Sequence, residues 1–504
     1  MAIWLGSSSD GAGTPRRKAR SPIKRDQQPE SAEHTRGTPS YSCNPATCVL
    51  PNCHCPRQTP PGDLAVKNTP QFVLLTFDDA VQIVTYPLAV NATAGTTNPN
   101  HCHMPATFFV STQYTNYHMV QMLYKSGHEI AAHTMTHVGN AMTPEINGSR
   151  AAINAFAGVP LSDLRGFRAP FLLYNLSTLE AVHDIGFTYD ISNPVDPPGE
   201  VYWPYTLDNG WPVPCFTGDC GDYSRRFPGL WEISMNSLID TKGYDYASMD
   251  PSGPPEFLMD LLQYNFKLHW DNGRLPFGLW LHPAWFMDDP THDRIALLTE
   301  FYAWVKKYTD NQTWFVTAAQ LIEWTRNPIG LDKPDALADM FDCPWEDPVK
   351  AYNASQTSVE VCNGIDDNLS KRIKNLVLVI WRGSRKSNVD SPSDGRIDEG
   401  VLLSCNLGTY FTDTCFYCPK TEPTPDNPVP DPLPGSGPVK PSTCVNVIPE
   451  GGCVQGTWSG TACECVCVGS GNQASNGFCQ DEHGACTVVK TYDATKKLFL
   501  CPGG

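Results

Sequence analysis

Short apolar runs alternate with amphipathic stretches between residue 71 and about residue 330. The runs FVLLTF (72–77) and TFFVS (107–111) are apolar almost throughout, which is typical of strands buried on both faces of a parallel sheet. Amphipathic stretches predict helices at Gln113–Ser126, Ser177–Ile185 and Ala318–Arg326, and the first two end before a glycine. Further strands are predicted at HEIAAH (128–133), GFRAPF (166–171), FTYDI (187–191), FGLWLH (277–282) and TWFVT (313–317).

The order of these elements predicts the fold class. Strands and helices that alternate along a chain form parallel sheets, and about 250 residues is the usual length of a (β/α) barrel. We therefore expect an α/β fold, a distorted (β/α) barrel, with small cysteine-rich modules on either side that are stabilised by disulfides. The barrel is assigned to residues 71–345.

The flanking segments differ from the barrel in composition. Residues 1–40 are polar with basic patches and are expected to be disordered or a misassigned N-terminus. Residues 41–70 form a cysteine-rich extension, in which CNPATCVLPNCHC (43–55) fits zinc ligation or, more readily, paired disulfides. Residues 346–420 are acidic and contain cysteine. In the same region, residues 369–393 are either a genuine loop or a spurious insertion, and we favour the insertion.

The C-terminal part begins with a proline-rich stretch, residues 421–442, which is predicted to be an extended linker. Residues 443–504 follow as a cysteine-rich module, either carbohydrate-binding or a structural cystine knot. The acidic sequences CNGIDDN (362–368) and DGRIDEG (394–400) would form an oxygen-rich motif suited to Ca²⁺ if the insertion were removed.

The composition limits which classes of binding partner and which cellular compartment are expected for this protein. The net charge of −17 argues against nucleic acid as the main partner, because such binding depends on Lys and Arg. No apolar run approaches the ~20 residues of a membrane span. Eight of the 20 cysteines lie in Cys444–Cys501, which favours an oxidising compartment over a cytosolic protein with reduced thiols. Five glycosylation sequons also fit secretion: Asn91, Asn147, Asn175, Asn311 and Asn353. No leader-like apolar stretch is visible at the start, so we expect that the N-terminus is incomplete or misassigned.

Candidate chemistry begins with two adjacent carboxylates. Asp78 and Asp79 directly follow the first predicted strand, at the end of a barrel where active sites are built. Adjacent carboxylates resist joint ionisation unless a cation or an arginine balances their charge. A solvated turn is the alternative interpretation.

Four further residues are candidates for metal binding or catalysis. His133 and His137 have the i, i+4 spacing that places two imidazoles on one helical face, where they and Asp79 would form the His₂–carboxylate set of a catalytic zinc site. Arg168 follows a predicted strand and would hold a carboxylate or make a surface salt bridge. His282 ends another strand and would act as a proton donor or be structural.

The motifs TFDDAV, HTMTH, RAPF and LWLH, in this order, resemble those of the polysaccharide deacetylases of carbohydrate esterase family four, the NodB-homology domain. The resemblance covers residues 71 to about 325. CVLPNCHC, PATFFVSTQYTNY and GLWLHPAWF are similar to sequences of animal chitin deacetylases.

The resemblance implies roles for individual residues. Asp79, His133 and His137 match the metal ligands, Asp78 the catalytic base and Arg168 the residue that orients this base. His282 matches the general acid, Phe171 an oxyanion-binding backbone N–H, and Leu279 a residue of the acetyl pocket.

One departure from the family concerns the acid. Bacterial members carry a D-x-x-D-W motif whose second Asp tunes the histidine, and here Asn193 stands at that position. Asp190 is then the candidate for tuning His282.

The function implied is the metal-dependent removal of N-acetyl groups from chitin or chitin oligomers, giving chitosan and acetate, with Zn²⁺ as cofactor and Co²⁺ as a substitute. The alternatives are a catalytically weak chitin-binding protein and a deacetylase of peptidoglycan or xylan. Four aromatic residues would either line a sugar-binding groove or pack in the core: Trp203, Tyr205, Trp211 and Trp285.

Overall fold

The computed structural model describes residues 41–197, 199–215, 222–288, 293–343 and 403–433, together with the backbone of five short strands between residues 473 and 500. The strands, in chain order, are β1 Gln71–Asp78, β2 Thr107–Val110, β3 Glu129–Ala132, β4 Gly166–Phe167, β5 Tyr189–Asp190, β6 Pro194–Val195, β7 Tyr205–Leu207, β8 Phe227–Glu232, β9 Met235–Asn236, β10 Leu238–Ile239, β11 Asp245–Tyr246, β12 Phe277–Leu281, β13 Thr313–Phe315, β14 Leu403–Asn406, β15 Phe411–Thr414, β16 Gln473–Ala474, β17 Phe478–Gln480, β18 Cys486–Val488, β19 Thr491–Asp493 and β20 Leu498–Leu500. The α-helices are α1 Tyr86–Thr93, α2 Tyr117–Lys125, α3 Thr143–Ala157, α4 Leu176–Ile185, α5 Pro255–Asp271, α6 Arg294–Tyr308, α7 Ala318–Arg326 and α8 Pro334–Met340.

A curled nine-stranded sheet forms the centre of the fold. Its order is β12–β1–β2–β3–β4–β5–β8–β7, and β13 also pairs with β1. The strands of this sheet pair in parallel, except that β7 runs antiparallel to β8. This arrangement confirms the predicted α/β fold with a distorted barrel.

Strand β1 shows why its apolar run is continuous. All eight of its residues are buried. Val73 and Leu75 pack in one hydrophobic cluster, whereas Phe72 and Leu74 pack in a second cluster. Successive side chains of a strand point to opposite faces, so β1 lies between two apolar layers.

Several predicted elements are shorter in the structure, among them one helix and one strand. The helix predicted from Gln113 begins at Tyr117, because the side chain of Asn116 caps it by accepting a hydrogen bond from the backbone N–H of Met119 at 3.1 Å. The strand predicted over residues 166–171 is limited to Gly166–Phe167. Residues Pro170–Leu172 instead form a short 3-10 turn in which Phe171 has a φ of 58°, a left-handed conformation that a strand does not contain.

Disulfides occur within the flanking segments and within the barrel. Cys43–Cys55 and Cys48–Cys53 confirm paired disulfides, not a zinc site, in the N-terminal extension. Cys102–Cys343 joins the loop before β2 to the residues after α8. Cys405–Cys418 links the start and the end of the C-terminal hairpin region.

The N-terminal extension lies against the edge of the sheet. The His54 ring nitrogen Nδ1 is 2.6 Å from the Pro204 carbonyl oxygen, and the backbone N–H of Trp203 donates to the Arg57 carbonyl at 3.0 Å. Because these contacts lie next to β7, the extension covers an edge strand that would otherwise be open to pairing.

The C-terminal hairpin β14–β15 packs on α2 and α3. The backbone N–H of Tyr117 donates to Thr412 Oγ1 at 3.2 Å, and Thr414 Oγ1 donates to the Phe156 carbonyl at 2.7 Å. The chain after it turns back, with the N–H of Lys420 donating to the Asp431 carbonyl at 2.7 Å. The first part of the predicted extended linker is therefore folded.

The remaining predictions fall largely outside the described residues. These are the interpretations of residues 1–40 and 346–402 and of the cysteine pairing in residues 443–504. The domain boundaries also stay predictions. Among the helices that the structure describes, none is long and apolar enough to cross a bilayer.

Candidate active site

The candidate residues lie at the carboxyl ends of sheet strands. Asp78 is the last residue of β1, His133 directly follows β3, Arg168 follows β4 and His282 follows β12. These strands are parallel within one sheet, so the residues that follow them meet at the same edge.

Asp79, His133 and His137 form a cluster of three candidate metal ligands. One ligand atom from each residue lies within 4.8 Å of the others. Asp79 Oδ1 is 3.0 Å from His137 Nε2 and 3.9 Å from His133 Nε2. The predicted helical face is wrong, because residues 133–137 form a loop in which Thr134 and His137 have φ values of 63° and 59°. The two imidazoles converge through these left-handed turns.

The protonation of His133 follows from its hydrogen bond. Its Nδ1 lies 2.8 Å from the Arg168 carbonyl oxygen, which can only accept, so Nδ1 carries the proton. Burial lowers the pKa of His133 despite the nearby carboxylates, and the ring is therefore neutral. Its Nε2 lone pair is left facing Asp79, which is the state in which an imidazole binds a metal.

Asp79 also stays ionised. Burial alone would raise its pKa, but the contact with His137 and the charge of His282 lower this pKa below the usual value. Asp79 Oδ1 is buried and accepts no well-directed hydrogen bond in the described part of the chain, although His137 Nε2 is near. An ionised oxygen without such a partner is suited to a cation.

Arg168 fixes the position of Asp78. Its Nη1 donates to Asp78 Oδ1 at 2.6 Å and to Thr76 Oγ1 at 2.9 Å, and its Nε donates to the Ile191 carbonyl at 2.8 Å. The guanidinium also lies 4.1 Å from the centre of the Phe109 ring. Since Arg168 is fully buried, its charge requires the Asp78 carboxylate as a partner.

His282 is bound by a carboxylate that the sequence did not reveal. Asp250 Oδ2 lies 2.5 Å from His282 Nδ1, and Asp250 Oδ1 accepts from the backbone N–H of His282 at 2.9 Å. Burial alone would lower the pKa of His282, but the hydrogen bond to Asp250 and the neighbouring carboxylates outweigh it and raise that pKa to about 9. The ring is therefore protonated at neutral pH, with Nε2 at 3.9 Å from Asp79 Oδ2.

The assignment of Asp190 as the partner of His282 is wrong. Asp190 is fully buried and accepts hydrogen bonds from the hydroxyl and the backbone N–H of Ser192, at 2.6 and 3.0 Å. Burial raises the pKa of Asp190 to about 7. Because Ser192 Oγ also accepts from the backbone N–H of Ala169 at 2.8 Å, Asp190 supports the chain next to Arg168.

Phe171 and Leu279 occupy different environments. Phe171 is 65% exposed, and its ring centre lies 4.5 Å from that of His137. Leu279 is buried within β12 and packs in the same cluster as Val73 and Leu75. The structure thus brings Phe171 to the metal-ligand cluster, whereas the acetyl-pocket role of Leu279 stays a prediction.

The four aromatic residues considered for a sugar groove are core residues. They are at most 2% exposed: Trp203, Tyr205, Trp211 and Trp285. Side chains this deeply buried cannot stack on a sugar ring, so the core-packing interpretation is the correct one.

Comparison with known proteins agrees with this geometry. Residues 65–189 match the family model for "Polysaccharide deacetylase". "Chitin deacetylase 8" of Bombyx mori is 30% identical over 312 residues, which are 58% of this chain and 80% of that protein. The chain belongs to the polysaccharide deacetylase family and is a deacetylase, a hydrolase that acts on amide bonds.

Two further similarities lie within the same family. "Chitin deacetylase 1" of Bombyx mori is 32% identical over 316 residues, 57% of this chain and 57% of that protein, so the chain spans little more than half of this second relative. Among solved structures, a family 4 carbohydrate esterase from Streptomyces lividans in complex with acetate is 28% identical, with a TM-score of 0.21, over 25% of this chain and 64% of that chain.

Proposed function

We propose that this protein is a secreted, zinc-dependent chitin deacetylase that converts N-acetylglucosamine units to glucosamine units and releases acetate. The observation that carries the proposal is the convergence of Asp79, His133 and His137 within 4.8 Å, beside an arginine-bound Asp78 and a protonated His282. Chitin is proposed as the substrate because both Bombyx mori relatives carry that name.

The three candidate ligands fit a divalent metal. Two neutral imidazoles and one carboxylate are the usual protein ligands of a catalytic zinc with an open position. This assignment gives a partner to two atoms. Asp79 Oδ1 is buried and accepts no well-directed hydrogen bond from the residues that the structure describes, and the lone pair of His133 Nε2 faces that oxygen. When bound, the metal would supply Lewis acidity for the acetyl carbonyl and for a water molecule.

Asp78 is proposed as the general base. Arg168 Nη1 donates to Asp78 Oδ1 at 2.6 Å. Asp78 Oδ2 lies 4.0 Å from His133 Nε2 and faces the ligand cluster. Oδ2 would take a proton from the attacking water as the water oxygen bonds to the acetyl carbon. The backbone N–H of Phe171 would donate to the oxygen that becomes negative.

His282 is proposed as the general acid. Its Nδ1 is held by Asp250, so Nε2 is the nitrogen that donates a proton to the sugar nitrogen as the carbon–nitrogen bond breaks. The water oxygen ends in acetate, and the sugar keeps a free amine. Asp250 contributes by orienting the ring and by favouring its protonated form.

The proposed extracellular location rests on the disulfides. Cys43–Cys55, Cys48–Cys53, Cys102–Cys343 and Cys405–Cys418 lie in or against the folded domain. Disulfides in such number form and persist in oxidising compartments.

Acetate release tests this function. The zinc-loaded protein is expected to release acetate from N-acetylglucosamine oligomers faster than from peptidoglycan fragments or acetylated xylan. The chitin assignment would be overturned by a preference for either of the other two polymers. The absence of acetate from all three would leave a binding protein and reject the catalytic proposal.

A further inference from the structure

The loop that follows β2 carries an exposed tyrosine at the edge of the candidate active site. Tyr114 is 49% exposed and has a φ of 66°. A left-handed tyrosine is uncommon and requires support from its surroundings. Residues held in this way are found more often at functional sites than elsewhere.

The loop is anchored to both segments that supply the metal ligands. On one side, the backbone N–H of Gln113 donates to the Met135 carbonyl at 2.8 Å, between His133 and His137. On the other side, the N–H of Asn116 donates to the Val81 carbonyl at 2.8 Å, two residues after Asp79. The loop that carries Tyr114 therefore lies beside the segments that hold the cluster.

The C-terminal hairpin contacts Tyr114 and the residue before it. The ring centre of Tyr410, from the turn between β14 and β15, lies 5.3 Å from that of Tyr114. Glu422 joins the two parts, because it accepts from Gln113 Nε2 at 3.2 Å and from Thr409 Oγ1 at 2.6 Å. The disulfide Cys405–Cys418 closes this part of the chain.

Other exposed apolar side chains lie on the same side of the sheet. They follow the carboxyl ends of β3, β4 and β12 and comprise Val138, Phe171, Leu173 and Met287. Exposed apolar groups that gather on one side of a protein mark a ligand-binding surface. Aromatic rings with one apolar face and a polar tip suit a ligand that is itself amphipathic, such as a pyranose ring.

We propose that Tyr114, backed by Tyr410 and Glu422 of the C-terminal hairpin, binds the sugar ring adjacent to the one that is deacetylated. This inference rests on the proposed function for the identity of the polymer. It makes the hairpin, which lies beyond the barrel in the sequence, a part of substrate binding.

The test compares substrates of different length. Tyr114→Ala is expected to raise KM for the N-acetylglucosamine pentamer about 10-fold with kcat within about two-fold, because removing an interaction that is equally strong in the ground and transition states changes KM alone. The rate for N-acetylglucosamine itself, which has no adjacent ring, is expected to change by less than about two-fold, and Tyr114→Phe is expected to behave as the parental protein. Glu422→Gln, which loosens the hairpin without touching Tyr114, is expected to raise KM for the pentamer in the same direction.

Tyr308→Ala is the matched control. Tyr308 is also a partly exposed tyrosine, 40% exposed, but it ends α6 at the opposite side of the sheet. An equal effect of Tyr308→Ala, or an unchanged KM in both Tyr114→Ala and Glu422→Gln, would overturn the inference while leaving the proposed function intact.

Direct binding separates the two proposals. If the parental protein releases no acetate but binds the pentamer in calorimetry, and Tyr114→Ala weakens this binding about 10-fold, the proposed function fails and the sugar site stands. If the parental protein neither binds nor hydrolyses the pentamer, both are overturned.

Discussion

Asp250 binds His282 at two points, through Nδ1 at 2.5 Å and through the backbone N–H at 2.9 Å. One carboxylate thus sets both the orientation of the ring and the position of the chain that carries it. The same contact is the main influence that raises the pKa of His282 to about 9 against the effect of burial. An acid with this pKa holds its proton throughout the neutral range.

Replacing Asp250 is expected to shift the alkaline limit of activity. Activity that needs protonated His282 is present below the pKa of that group and declines as pH rises through about 9. Asp250→Asn removes the charge and lowers the pKa, so the alkaline limb of kcat/KM should move to lower pH by at least about one unit. A pH–rate profile measures the shift.

Asp190→Asn is the control for this profile. Asp190 is bound to Ser192 and is not part of the contact with His282, so its replacement should leave the alkaline limb in place. A shift of the limb in Asp190→Asn with none in Asp250→Asn would restore Asp190 as the partner of the acid.

Replacing Asp78 should separate catalysis from metal binding. Asp78→Asn keeps the size of the side chain and an oxygen for Arg168, but it cannot take a proton at neutral pH. We expect turnover to fall about 10²–10⁴-fold, the usual contribution of a general base, with zinc content unchanged by elemental analysis. Parental rates of acetate release in this variant would contradict the assignment of the base.

Arg168→Lys should lower both activity and stability. A lysine ammonium cannot reproduce the planar contacts to Asp78, Thr76 and the Ile191 carbonyl. We expect kcat to fall about 10²-fold with little change in KM, because Arg168 positions the base and does not reach the substrate. Loss of a well-formed buried pair should also cost about 3 kcal/mol of unfolding free energy, measured by urea denaturation. If a folded Arg168→Lys protein has the parental kcat, Asp78 does not need Arg168 in order to act as the base.

Zinc should stabilise the folded protein through the three candidate ligands. At a free zinc concentration about 100 times Kd, binding contributes about 2.7 kcal/mol, which is measured as a rise in Tm relative to the chelated protein. His137→Ala should remove most of this rise. The control His183→Ala, which removes a half-buried histidine of α4 next to Asp184, should keep it. Equal zinc-dependent stabilisation in both variants would place the metal elsewhere.

Much of the site could be predicted because its residues follow buried strands. The apolar runs that end at Asp78 and at His282 are strong signals of parallel strands, and strand direction then places the residues after them at one edge. The neutral tautomer of His133 could not be predicted in this way, since it depends on the carbonyl of Arg168, 35 residues away in the chain.

The remaining features depend on irregular backbone, which has no periodic signal. Asp250 reaches His282 through a single bridge between Met249 and Trp280, too short to leave an alternating pattern. The spacing of His133 and His137 is typical of a helix, although two left-handed residues bring the rings together in a loop. A periodic sequence pattern reflects backbone geometry that repeats over several residues. Each of these contacts depends on backbone geometry that occurs at a single position.

The disulfide between Cys102 and Cys343 spans 241 positions and encloses most of the barrel. A protease that cut the chain once within this span would leave two pieces that still migrate as one species in electrophoresis. Only a thiol reductant would separate the two pieces. An assay of molecular size without reductant would therefore not distinguish cleaved from intact molecules.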